Sequence, residues 1–216
     1  MENSKAAKII YSAFVIVLIL WIASIVGAAY IAKGGDTTTA GVIYAFHRPL
    51  CHQLPERSIC VFDSGRIGEC APNGEAQLAG GEIVYAGFDQ FTMRPREVVW
   101  QDGERGYEFA ECARDTAIYV GVLLGFLILP LIKKIDSLYV PRVWPLILAM
   151  VPIGMDGGTQ LLGWRESTDT LRIITGLIVG IVLPFYIMPM ANRLALGLFS
   201  KKSGKNGSEK INKEGK

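Results

Sequence analysis

The stretch IIYSAFVIVLILWIASIVGAAYIA, residues 9–32, runs for 24 positions without a charge. Wound as a helix at about 1.5 Å per residue, it is long enough to cross the roughly 30 Å of hydrocarbon in a bilayer. Three further apolar clusters follow: Thr116 to Ile132, Val143 to about Trp164 if Asp156 and Gln160 are admitted, and Leu171 to Met190. Half of the 216 residues are hydrophobic, and they gather in these blocks rather than recurring with a surface-helix or strand period. That grouping predicts a mostly α membrane protein built as a four-helix transmembrane bundle. A cleaved signal peptide would also begin with basic residues such as Lys5 and Lys8 and end among small ones. Its apolar core is usually about 7–15 residues, so the first cluster reads as a retained helix.

Charge sets the orientation, because Lys and Arg are held on the cytoplasmic side. Lys5 and Lys8, then Lys133, Lys134 and Arg142, then Lys201, Lys202, Lys205, Lys210, Lys213 and Lys216 all fall on one side of a four-span arrangement. Residues 33–115 hold 13 acidic residues against 8 basic ones, a net of −5, and belong on the other side. Both termini are expected in the cytoplasm of a multi-pass cell-membrane protein, with residues 33–115 extracytoplasmic. The expected division is a transmembrane helix over 1–32, a cysteine-containing subdomain over 33–115, a three-helix membrane region over 116–199 and a disordered basic tail over 200–216. The bilayer is the expected partner, and nothing in the chain suggests a nucleic-acid module.

The 83-residue outer segment is too long for a plain connection and predicts a small α+β subdomain between helices 1 and 2. Glu97–Trp100 and Tyr107–Phe109 flank Asp102-Gly103, a β-hairpin signal, and Ile83–Phe88 could add a strand. Ile43, Phe46 and Leu50 have helical spacing, which predicts a short helix over Gly41–Leu54, ended by Pro55 and lying on the outer face.

All four cysteines and both histidines lie between the first two apolar clusters: His47, Cys51, His52, Cys60, Cys70 and Cys112. An even number of extracytoplasmic cysteines is most simply read as two disulfides, Cys60–Cys70 around a turn-prone loop and Cys51–Cys112 tying the start of the subdomain to its exit. The alternative is a metal site. His47 and Cys51 are four apart and would share a helical face, and Cys112 and Asp115 form a C-x-x-D pair, so the set could hold zinc. A reactive redox thiol is a third reading, weakened by the absence of C-x-x-C. Asp115 also has a plain role as a helix N-cap.

Polarity interrupts the third cluster at Asp156-Gly157-Gly158-Thr159-Gln160, followed by Arg165-Glu166-Ser167-Thr168-Asp169 and Arg172. An ionisable group within a span is costly unless paired or hydrated, so Asp156 should face the bundle interior or a water-filled cavity, with Gln160 one turn on pointing the same way. Asp156 could simply bridge Arg165 or Arg172 to fix the turn, with Ser167, Thr168 or Asp169 capping the last span. The functional reading adds His52, Gln53, Glu56 and Arg57, brought to the same face by the topology.

Cys51-His52-Gln53-Leu54-Pro55-Glu56-Arg57-Ser58, then Cys112-Ala113-Arg114 leading into Tyr119-Val120-Gly121, then Asp156-Gly157-Gly158-Thr159-Gln160 with Arg165-Glu166-Ser167-Thr168, together resemble the DUF2085 family of prokaryotic predicted membrane proteins. The resemblance implies a membrane fold and no particular activity. Two features depart from the family pattern. Asp115 stands where the family has the second cysteine of C-x-R-C, which makes a four-ligand Cys/His site less secure. The outer segment is also expanded, with Cys60 and Cys70 in the expansion, and this favours their local pairing.

The leading functional reading is a membrane-embedded enzyme or metal-binding protein with an outward polar site. His52, Asp156 and Glu166 would be acid/base groups or ligands. Gln53, Arg57, Gln160, Arg165 and Arg172 would hold a phosphate-bearing or lipid-linked substrate, since Arg recognises phosphate bidentately. Two alternatives are a small transporter using Asp156 and Gln160, which would need a homo-oligomer, and a disulfide-stapled scaffold for a protein partner.

Overall fold

The computed structural model describes residues 2–51, 57–70, 77–78, 97–99 and 103–197. His52, Gln53, Glu56, the possible strand Ile83–Phe88 and the basic tail 200–216 fall outside these residues. The described chain is mostly helical, with one small antiparallel sheet. Helix α1 spans Glu2–Lys33, α2 Thr37–His47, α3 Ala113–Ile132, α4 Trp144–Leu161 and α5 Asp169–Val182, and a further helical run, α6, covers 184–197. Strands β1 Ile59–Phe62, β2 Ile67–Glu69, β3 Gln77–Leu78, β4 Glu97–Val99 and β5 Arg105–Glu108 lie between α2 and α3.

Among the described residues, three helical stretches are long and apolar enough to cross a membrane: Ser4–Lys33, Ala113–Ile132 and Asp169–Gly197. The last combines α5 and α6 and continues past the expected end at Met190. Pro184 brings no N–H to the ladder, which marks the turn at 183 between the two. Helix α4 is not among the three. It is 18 residues long and carries Asp156, Gln160 and an internal Pro152.

The apolar run of α1 has two fates. Its lower part lines α3: Tyr11 Oη donates to Phe126 O at 3.0 Å, Phe14 stacks on Phe126 at 5.3 Å, and Trp21 meets Tyr119 edge-on at 5.9 Å. Its upper part, Ile25, Ala28, Ala29 and Ala32, is buried against Ala40 and Tyr44 of α2 and against Val61, Tyr107, Phe109 and Ala110. Thirty residues make roughly 45 Å of helix, about 15 Å more than the hydrocarbon needs, and the surplus packs in the core of the subdomain. Alanine at three of the four α1 positions lets α2 and the sheet come close.

The sheet has the order β2-β1-β5-β4-β3, antiparallel throughout. The expected hairpin is there: Glu97 faces Tyr107 and Val98 faces Gly106, with Gly103 at φ +84° in the turn, a conformation glycine adopts at no steric cost. Cys60 in β1 is bonded to Cys70, just after β2.

Helix α2 begins and ends earlier than the Gly41–Leu54 spacing suggests. Asp36 caps it by accepting from Thr39 N at 3.0 Å, and Pro49 removes the donor that a further turn would need. The other end of the fold is decided by small residues. Gly121 of α3 meets Gly180 of α5, Gly176 packs on Arg114 and Ala117, and Gly125 packs on Ile181 and Pro184, so two small-x3-small pairs let the backbones touch. A Cβ on Gly121 would lie 2.8 Å from Leu177 O, and one on Gly176 2.7 Å from Arg114 O.

Candidate functional site

Three polar groups lie where α1 emerges, α3 begins and α4 turns into α5. The first is the thiol group. Cys112 stands at the N-cap of α3 without a side-chain cap bond, and Asp115 sits in the first turn. The expected capping role of Asp115 is therefore corrected: the helix starts three residues earlier. An acidic group there still favours the positive end of the helix dipole. Cys112 N donates to Cys51 Sγ at 3.1 Å, and Cys112 Sγ donates to Asp115 Oδ2 at 3.1 Å. The ligand atoms of Cys51, Cys112 and Asp115 lie within 4.8 Å of one another. Two donors on a tetrahedral zinc sit roughly 3.5–3.8 Å apart, so the trio would have to close by about 1 Å. The hydrogen-bonded Cys51 neighbour, then burial, push the pKa of the Cys112 thiol up. Both thiols are outside the disulfide, so the expected Cys51–Cys112 bond is not formed in this structure.

His47 does not join that trio. The four-residue spacing to Cys51 had suggested a shared helical face, but α2 stops at His47 and Cys51 lies beyond it. His47 Nδ1 is instead 2.7 Å from Glu111 Oε1, and its Nε2 is 2.9 Å from Ser24 Oγ on α1, with both His47 and Glu111 wholly buried. Ser24 also donates to Trp21 O at 2.7 Å, which leaves its oxygen to accept from Nε2–H while Nδ1 faces the Glu111 carboxyl. The second Glu111 oxygen is buried without a hydrogen bond. Sequence reasoning missed Ser24 and Glu111. A serine within an apolar run and a glutamate next to Cys112 carry no local signal of a shared partner.

The third group centres on Asp156, 2% exposed. Arg114 Nη2 lies 2.5 Å from its Oδ2, Arg165 Nη2 2.8 Å from Oδ1, and Ser167 Oγ donates to Oδ2 at 2.7 Å. Arg165 was an expected partner. Arg114 was not, although it lies within the motif Cys112-Ala113-Arg114. Arg172 turns instead to Asp169 one turn back at 2.7 Å, both buried in α5. Gln160 Nε2 donates to Glu166 Oε2 at 2.9 Å on the exposed rim, and Thr168 caps α5 by accepting from Leu171 N at 3.3 Å. Arg57 is half-buried just ahead of β1. Asp156, Arg165, Gln160 and Glu166 thus gather at one hairpin, while His52 and Gln53 lie outside the described residues.

Comparison with known proteins follows the same segments. The family model of predicted membrane proteins termed DUF2085 matches residues 104–186, from β5 through the start of α6. An uncharacterised protein of Methanocaldococcus jannaschii is 33% identical over 185 residues, covering 83% of this chain and 91% of its own length. An uncharacterised protein of Methanothermobacter thermautotrophicus is 42% identical over 79 residues, 37% of this chain and 69% of its own. No solved structure matches the chain.

Proposed function

The chain belongs to the DUF2085 family of predicted membrane proteins, and on that premise we propose that it is a multi-pass membrane protein holding a divalent metal ion, zinc foremost, at its extracytoplasmic face. The observation that carries this is the approach of Cys51, Cys112 and Asp115 to within 4.8 Å. Two thiolates and a carboxylate suit zinc, and three protein ligands leave the fourth position to water or substrate, the arrangement of catalytic rather than structural zinc. Such an open ion could activate water or polarise a phosphoryl or carbonyl oxygen.

The orientation rests on charge: the basic segments lie at the opposite end of the helices from the acidic subdomain, so both termini are cytoplasmic and residues 33–115 lie outside. Helix α4 serves as the fourth crossing, about 27 Å long and packed against α5. A phosphate-bearing or lipid-linked substrate would meet the arginines of the α4–α5 hairpin. Arg165 and Arg172 are engaged by Asp156 and Asp169, so any anion would have to compete with internal carboxylates.

A Cys51–Cys112 disulfide is the second reading, favoured by the adjacency of the two cysteines. Elemental analysis and thiol counting on the purified full chain separate the two. The metal reading expects about one zinc per chain, lost in Cys51→Ser and Cys112→Ser, and two thiols titratable after chelation. Absence of both metal and titratable thiols establishes the disulfide instead.

A further inference from the structure

Helix α2 has two unlike faces. Ala40, Gly41, Tyr44 and His47 are buried against α1 and the sheet. Val42, Phe46 and Leu50, at four-residue steps, are 64%, 65% and 58% exposed. Val42 and Phe46 lie on the open side of the short helix and Leu50 in the turn just beyond its end, so together they form an apolar stripe opposite the buried face.

The depth of that stripe can be read from its neighbours. Ala110 N donates to Ile25 O at 3.1 Å, so the chain enters α3 at the level of Ile25, and from there α3 runs down α1 past Trp21, Phe14 and Tyr11. The two membrane-length segments are therefore side by side only below Ile25. Helix α2 folds back along α1, and the Phe46 ring rests on Trp21 with centroids 5.6 Å apart. Trp21 is four residues below Ile25, about 6 Å at 1.5 Å per residue. Interfacial helices sink their apolar face about 5–10 Å into the boundary between headgroups and acyl chains, and aromatic side chains favour that level.

We infer that α2 is an interfacial helix that seats Val42, Phe46 and Leu50 in the leaflet at the C-terminal end of α1. The occupant is phospholipid. Phe46 rests on Trp21, and the membrane-length part of α1 just below Trp21 exposes Ile16, Val17 and Leu20. Three side chains also supply far less than the roughly 800 Å² per partner of a stable protein interface. The subdomain is consequently not a free lobe on a tether but is held to the membrane surface at a second place.

The test places photoreactive p-benzoylphenylalanine at Phe46 in the full chain, reconstituted in vesicles of phosphatidylcholine and phosphatidylglycerol. Leu20 is the lipid-facing reference, and Ile67, exposed on β2, is the control on the sheet. An intact Cys60–Cys70 bond and unchanged elution in each variant show that folding is retained. After irradiation, mass spectrometry should find lipid adducts at position 46 within about threefold of position 20 and about tenfold above position 67. Lipid adduct at 46 no higher than at 67 overturns the inference, and so does a covalent dimer through position 46.

Discussion

Removing the Asp156 carboxylate tests the hairpin group most directly. Asp156→Ala deletes an almost fully buried acceptor and leaves Arg114 and Ser167 facing a void. Breaking a buried pair by removing one partner costs about 3–5 kcal/mol, because the charge left behind has lost its solvent and its counterion. The Ser167 hydroxyl contributes about 1.5 kcal/mol of that as a hydrogen bond to a charged group. Arg165 is nearly half exposed, so its share is screened to about 0.5 kcal/mol. Arg114 is mostly covered and accounts for the remainder. The expected loss for Asp156→Ala is therefore about 3–4 kcal/mol, with about 2 for Arg114→Ala and under about 1 for Arg165→Ala. Equilibrium unfolding in mixed micelles, run as a double-mutant cycle for each arginine, measures these terms. A loss below about 1 kcal/mol for Asp156→Ala, or equal coupling to the two arginines, refutes the reasoning.

Other consequences follow from particular contacts. Gly180→Leu should prevent α3 and α5 from docking and cost at least about 3 kcal/mol, whereas Gly154→Ala, which meets nothing within 4 Å, should leave stability unchanged or raise it by about 0.5–1 kcal/mol in the same unfolding assay. Glu111→Gln should weaken the hold on His47 and lower stability by about 2 kcal/mol, with Ser24→Ala costing about half as much by thermal unfolding. Replacing Cys60 and Cys70 together by alanine opens a loop of about ten residues and should cost roughly 2–3 kcal/mol, while the zinc content stays at the wild-type value. Asp115→Asn should lower zinc affinity at least about tenfold, read by competition with a chromophoric chelator, without changing the number of titratable thiols.

Several elements were legible because their cause is local. A long uncharged run has to be a buried or membrane helix whatever surrounds it, and Asp-Gly between β-prone residues makes a hairpin. The α2 boundary was misplaced although the deciding residue, Pro49, was in view. Helical spacing of apolar residues continued past it, whereas the backbone donor it removes did not. The two small-x3-small pairs in α3 and α5 were equally readable as spacing, yet only their meeting gives them meaning.

At the candidate sites the division is similar. Polarity inside an apolar cluster pointed to Asp156 because an ionisable group there needs a partner. That its strongest partner is Arg114, 42 residues away, depends on how α4 sits against the start of α3. Spacing placed His47 with Cys51, and the end of α2 separated them. Cys112 and Asp115 were read as a pair from their one-turn separation, and Cys51 reaches them from the far end of the subdomain.

Hydrophobic length and charge sign act residue by residue, so the order of residues alone marks a helical membrane protein with an acidic, cysteine-bearing segment between its first two apolar helices. How the elements meet in three dimensions buries the top of the first helix in the subdomain core and gives His47 to Glu111 and Ser24 rather than to the thiols. Those outcomes depend on which distant side chains compete for the same space and the same hydrogen-bond partners, and no local pattern records that competition.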